Sequence, residues 1–109
     1  IARGLREVIA QYGPRCAVIE EAFAGKNQAS AMKLAQVRGV AMVVAREAGM
    51  EIREYSPREI KLAVVGYGNA EKEQVQMMVK ALLGLSETPA ADAADALAAA
   101  ICQAACGRF

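Results

Sequence analysis

Three carboxylates in this sequence stand among apolar neighbours, where an acidic side chain needs an explanation. Glu20 ends the apolar run "CAVIE", and Asp92 and Asp95 interrupt the alanine-rich stretch "ADAADALAAA". Because Asp92 and Asp95 are three residues apart, a helix places them on one face, where their like charges repel. Their alanine neighbours offer no lysine or arginine to neutralise them. We therefore expect an external partner, and a divalent cation fits.

The types of donor available narrow the choice of cation. The chain has no histidine, and carboxylate oxygens favour hard ions, which points to Mg²⁺, with Mn²⁺ as the alternative. Carboxylates from a strand end and from a separate helix, converging on such ions, are the apparatus of two-metal phosphodiester hydrolysis. The competing interpretation is compensation of the helix dipole, because both aspartates are predicted in the first turn, where an acid contributes about 0.3–1 kcal/mol.

Composition sets the limits of the fold and of the function. The 109 residues, 55% of them hydrophobic, predict a single domain over 1–109 with a sizeable core. A formal charge of +1 gives no overall attraction to nucleic acid or membrane, and the lack of histidine excludes His-based catalysis. The longest charge-free run, 96–107, is too short to span a bilayer. The three cysteines are expected to be reduced, buried thiols in a cytoplasmic protein.

Helical and strand patterns alternate along the chain. The predicted elements are a helix over 1–12, a strand at 16–20, a helix over 27–48 with Asn27 as N-cap, a strand at 50–56, a helix opened by a capping box at 56–59, a helix over 70–84 capped by Asn69, and a last helix after Pro89. This order predicts an α/β fold with parallel strands and crossover helices. Since two parallel strands do not make a viable sheet, we expect further strands ahead of Ile1.

Four blocks of this sequence resemble, in order and spacing, the RuvC family of Holliday-junction resolvases: "VIEEAFAGKN", "AMKLAQVRGVA", "VVGYGNAEKEQVQMMV" and "ADAADALA". The resemblance implies a ribonuclease-H-like fold with helices on both faces of the sheet. It also implies a homodimer and Mg²⁺-dependent paired nicking of four-way DNA junctions in recombination and repair.

The family's catalytic set is four carboxylates, three of which match Glu20, Asp92 and Asp95 as metal ligands. The fourth is an aspartate in a "GIDPG"-like block, which this sequence does not contain. The resemblance therefore implies that the 109 residues are the C-terminal portion of a resolvase domain with incomplete first strands. We expect them to be inactive alone.

The same resemblance assigns the remaining site residues. Phe23 matches an aromatic that stacks on unpaired bases, although a loop aromatic packed on the core is the alternative. Lys61 and Lys72 match basic positions near the active site that grip phosphate or stabilise the transition state, although solvated helix charges are the alternative. Further candidate contacts to the DNA backbone are Lys26, Asn27, Lys33 and Arg58.

The long helix 27–48 predicts a partner. Its segment "GVAMVVA" (39–45) is apolar all round, so every side of it must be covered, either within one complete domain or by a second copy of the chain. The resemblance favours a two-fold dimer around this helix. The expected partners are then a four-way DNA junction, a second copy and branch-migration proteins, but no membrane.

Two alternative functions remain at this point. One is a non-catalytic, junction-binding protein on the same fold, which a missing first-strand aspartate would favour. The other is a different ribonuclease-H-like nuclease, acting on RNA or on other DNA structures.

Overall fold

The computed structural model describes residues 2–21 and 28–106. In this part of the chain the order of elements is α1 (Ala2–Tyr12), β1 (Cys16–Glu20), α2 (Gln28–Glu47), β2 (Glu51–Tyr55), α3 (Pro57–Val64), α4 (Lys72–Leu83) and α5 (Ala91–Cys106). The two strands are parallel neighbours in one sheet. The predicted α/β class and the predicted order of elements are confirmed.

The chain divides into two compact units, with the boundary between Glu54 and Tyr55. The first contains the strand pair, α1 and α2, and the second contains α3, α4 and α5. A single domain over 1–109 stays a prediction.

In the first unit, α2 packs on β1 and α1 packs on α2. The backbone N–H of Glu51 donates to the carbonyl of Arg15 at 3.0 Å, where the second strand begins. An ion pair between Arg38 and Glu54 joins α2 to β2. The residues of β1 are half-buried up to the exposed Glu20, so the predicted burial of this strand is only partly met. The strand stays half-buried because, within this unit, α2 is the helix that packs on it.

In the second unit, α5 packs against both α3 and α4. Val79 of α4 is fully buried, and so are Ala94 and Cys102 of α5. The buried face of α5 carries alanine at three positions, which lets the neighbouring helices approach closely. The core around this helix is therefore close-packed, with little space for larger side chains.

Local hydrogen bonds define where α3 and α4 begin. The predicted capping box at α3 is confirmed, because the N–H of Ser56 donates to the Glu59 carboxylate at 3.0 Å and the N–H of Glu59 donates to the Ser56 hydroxyl at 3.1 Å. Hydrogen bonding of the Glu59 carboxyl to Ser56, first to its backbone N–H and then to its side chain, lowers the pKa of that carboxyl. The predicted cap at Asn69 is wrong, because Glu71 is the N-cap and its N–H donates to Gln74 Oε1 at 2.8 Å.

All three cysteines are free thiols, but only one is fully buried. Burial, and secondarily the neighbouring Cys106, raises the pKa of Cys102 to about 11. Cys16 is half-buried, and Cys106 is exposed at the end of α5, which corrects the expectation of three buried thiols. Within the described part of the chain, no helix has the length and apolar character that crossing a bilayer requires.

Candidate functional site

The two aspartates of α5 are exposed, and one of the two residues between them, Ala94, is fully buried. Ala94 has no exposed surface, so the backbone that carries Asp92 and Asp95 is held against the core of the second unit. Asp92 lies in the first turn. Asp95 begins the second turn, which corrects the prediction that both lie in the first. Among the described residues, neither carboxylate forms an ion pair or a side-chain hydrogen bond.

This placement weighs against the helix dipole as the whole explanation. The dipole favours acids within the first turn and its effect falls off beyond it. It therefore accounts for Asp92 better than for Asp95. Two exposed carboxylates on one helix face, neither in an ion pair within the part of the chain that the structure describes, form a donor set of oxygen atoms only. Such a set fits a hard divalent cation.

The third carboxylate belongs to the other unit. Glu20 is exposed at the C-terminal end of β1, the edge at which open α/β sheets place their sites. Within neither unit does the described chain bring three His, Cys, Asp or Glu side chains together as a metal site. A metal site that combines Glu20 with Asp92 and Asp95 stays a prediction.

The predicted basic contacts are distributed over three helices. Lys61 is half-buried on α3, Lys72 is the exposed first residue of α4, and Lys33 is exposed on α2. Arg58 is exposed in the first turn of α3. In the part of the chain that the structure describes, none of these four side chains forms an ion pair. Their positive charges are therefore available to an anionic partner. The remaining predicted contacts lie outside the described residues: Phe23, Lys26 and Asn27.

Sequence reasoning gives the "GYG" segment, 66–68, no role beyond a helix cap and a turn. The turn is confirmed, because the N–H of Gly66 donates to the carbonyl of Lys61 at 3.3 Å. The structure adds that Tyr67 is 42% exposed and that its hydroxyl accepts a hydrogen bond from Gln74 Nε2. The available signal in the sequence was an aromatic residue placed between two lysine-bearing helices.

The long helix α2 exposes much of its apolar surface within the first unit. Val44 and Ala45 are buried, but Val40 is 37% exposed and Val43 is 56% exposed. A groove of about 450 Å³, lined by residues of α1 and α2, runs past Gly39, Val40 and Val43. The unit itself therefore covers only one side of the segment that is apolar all round.

The sequence matches one protein family over residues 1–103, the family described as "Crossover junction endodeoxyribonuclease RuvC". Among curated proteins, it is 56% identical over 104 residues to the "Crossover junction endodeoxyribonuclease RuvC" of Pseudomonas fluorescens (strain SBW25), a match that covers 95% of this chain and 60% of that protein. The protein with the same description in Citrifermentans bemidjiense is 53% identical over 104 residues, with 95% and 63% covered.

Two solved structures are similar to this chain. One is "Thermus thermophilus RuvC structure", with a TM-score of 0.84 and 36% identity over 94% of this chain and 63% of that one. The other is "T. thermophilus RuvC in complex with Holliday junction substrate", with a TM-score of 0.89 and 36% identity over 95% and 64%. The chain thus spans about 60% of the length of the curated relatives it matches. The predicted ribonuclease-H-like fold is confirmed.

Proposed function

The chain belongs to the RuvC family of crossover junction endodeoxyribonucleases, and we propose that it supplies most of the catalytic site of a metal-dependent enzyme that nicks four-way DNA junctions. The single observation that carries the proposal is the pair of exposed carboxylates on α5, Asp92 and Asp95, neither of which forms an ion pair among the described residues. A solved relative in complex with a Holliday junction substrate supports the choice of substrate.

The proposed roles of the acidic residues follow from their donor atoms. Asp92, Asp95 and Glu20 supply carboxylate oxygens, which suit Mg²⁺ and, as the alternative, Mn²⁺. When bound, divalent cations in such sites activate a water molecule and stabilise the leaving oxygen of a phosphodiester. The rigid attachment of α5 through buried Ala94 keeps the two aspartates at a fixed spacing. The resulting strand ends would be a 5′-phosphate and a 3′-hydroxyl.

The proposed roles of the basic residues follow from charge. Lys61 and Lys72 lie on the helices before and after the "GYG" turn, 66–68, and would grip phosphate or stabilise the transition state, as the matching basic positions of the family do. Lys33 and Arg58 would contact the DNA backbone. For Phe23, Lys26 and Asn27, the support is the family resemblance alone. Branch-migration proteins as partners stay a prediction.

The proposed function can be tested with the chain and with a hybrid protein. In the hybrid, this chain replaces the matched segment of the Pseudomonas fluorescens relative. Each protein is incubated with a mobile four-way junction and with linear duplex, in Mg²⁺ and in EDTA. We expect the 109 residues alone to bind the junction in preference to the duplex without nicking it. We expect the hybrid to make symmetric, Mg²⁺-dependent nicks in the junction only.

The other outcomes identify the alternatives. Tight junction binding by the hybrid without nicks would indicate a binding protein. Cleavage of RNA, or of linear duplex as readily as of the junction, would indicate another ribonuclease-H-like nuclease. The absence of any preference for the junction in both proteins would contradict the proposal.

We also propose that the enzyme is a homodimer through the predicted helix 27–48, of which the structure describes α2. The supporting observation is the exposed apolar surface around Val40 and Val43, beside the groove between α1 and α2. The small side chains of Ala35 and Gly39 line the same groove and would permit close helix approach. A two-fold dimer presents two equivalent sites, which suits paired nicks in the two equivalent strands of a junction.

A charge in this surface should break the dimer. We expect Val43→Asp to weaken self-association of the hybrid by about thirtyfold or more, because burying an unpaired carboxylate at an interface costs about 2 kcal/mol or more. Sedimentation equilibrium measures the change. Val8→Asp is the matched control, because Val8 is 51% exposed on α1 and does not line the groove. Equal effects of the two substitutions would contradict a dimer through α2.

A further inference from the structure

Three features shape the "GYG" turn between α3 and α4. Gly66 has a φ of 105°, in the left-handed region that side chains rarely adopt. A Cβ at Gly68 would lie 2.7 Å from Cγ of Arg58, so a larger residue there would require the exposed Arg58 side chain to shift. The third feature is the hydrogen bond from Gln74 Nε2 to the hydroxyl of Tyr67. An exposed tyrosine whose hydroxyl is hydrogen-bonded therefore lies in this turn.

Gln74 connects this tyrosine to the start of α4. Its Oε1 accepts the N–H of Glu71 at 2.8 Å, and its Nε2 donates to Tyr67. The side-chain amide of Gln74 thus caps the start of α4 and also binds the hydroxyl of the Tyr67 ring. The hydroxyl of Tyr67 accepts this hydrogen bond and keeps its own O–H to donate, while the ring, in a side chain that is 42% exposed, offers a flat apolar face. Flat aromatic faces bind bases by stacking, with little dependence on sequence.

The position of the turn indicates nucleic acid as the partner. Lys61, whose carbonyl accepts the N–H of Gly66, precedes the turn, and Lys72 lies two residues before Gln74. The segment 56–74 carries three basic and three acidic side chains, so its net charge of zero gives no overall electrostatic attraction to DNA. An aromatic ring between two lysines that are free of ion pairs among the described residues is the arrangement expected where bases stack and phosphates are gripped.

We propose that Tyr67 is a DNA-contacting residue whose ring stacks on an unpaired or unstacked base of the junction. This inference rests on the proposed function and extends it, since it names a contact that acts only where base pairing is interrupted. Linear duplex, in which every base is stacked on both faces, offers no such surface. The effect of removing the ring must therefore depend on the structure of the DNA.

The test measures binding by the hybrid protein, in EDTA, to a four-way junction, a single strand and a linear duplex. We expect Tyr67→Ala to weaken binding to the junction and the single strand by about five- to a hundredfold, the value of one stacked base, and to leave binding to duplex within about twofold. Tyr67→Phe keeps the ring and should bind the junction nearly as well as the unchanged hybrid. Tyr12→Ala is the matched control, because Tyr12 is 72% exposed on α1.

The outcomes separate this inference from the proposed function. Unchanged junction binding by Tyr67→Ala, with Lys72→Ala still weakening it, overturns the role of Tyr67 and leaves the proposed function standing. Equal losses on junction and duplex would also overturn it, because a loss without structural selectivity indicates a disturbed fold. If Tyr67→Ala lowers the melting temperature, Tyr67→Leu keeps apolar bulk without a ring and must give the same selective loss. No preference for the junction in the unchanged hybrid would overturn both proposals.

Discussion

Asp95→Asn in the hybrid protein is expected to lower the rate of junction nicking by at least about a hundredfold, because it removes a metal ligand and not merely a group that orients one. Binding of the junction should stay within about twofold or become tighter, since an exposed side chain changes and one negative charge near DNA is lost. Single-turnover nicking and equilibrium binding, measured on the same preparation, separate the two effects.

The control for this substitution is an exposed acid in the same unit. Glu87 lies in the segment between α4 and α5 and is exposed like Asp95. Glu87→Gln makes the same change of carboxylate to amide and is expected to leave nicking unaltered. Similar rates for Asp95→Asn and Glu87→Gln would contradict the assignment of Asp95 as a ligand. Loss of both nicking and junction binding, with a lowered melting temperature, would indicate that Asp95 serves the fold.

Ala98→Leu is expected to lower the free energy of unfolding of the chain by about 1–3 kcal/mol, because added methylene groups overpack a core that is already filled. Ala98 is 1% exposed on the face of α5 that packs against α3 and α4. The extra atoms must therefore displace the helix that carries Asp92 and Asp95. Urea unfolding followed by circular dichroism measures the change.

The matched substitution is two residues further along the same helix. Ala100 is exposed, so Ala100→Leu should stay within about 0.5 kcal/mol of the unchanged chain. Both variants have the same helix propensity, since both replace alanine by leucine. Equal stabilities would contradict the close packing of α5.

Local patterns predicted the elements of the fold well, because helices and strands of this length depend on neighbours in the sequence. The capping box of Ser56 and Glu59 needs only two side chains three residues apart, and the structure contains both of its hydrogen bonds. The start of α4 was misplaced at Asn69. Asn69 and Glu71 can both cap a helix. Glu71 is the N-cap of α4, and its N–H donates to the side-chain oxygen of Gln74.

The candidate site could be predicted only in part, because sequence patterns report local structure and not contacts between distant residues. Carboxylates among apolar neighbours, and their match to a known family, predict Asp92, Asp95 and Glu20 as metal ligands, and this assignment stays a prediction. The ordered ring of Tyr67 was missed, because its orientation depends on an amide seven residues away and the turn depends on the path of Arg58 past Gly68. The spacing of residues does not encode such contacts.

The sequence by itself determined which elements form, which carboxylates lack a neutralising neighbour and which family the chain resembles. The tertiary structure decided what is exposed. Ala94 is buried, whereas Asp92 and Asp95 are accessible. Val43 is exposed on a helix whose apolar pattern predicts burial on all sides. The physical reason is that secondary structure is set by short-range hydrogen bonding and periodicity. Exposure depends instead on which faces of distant segments pack together.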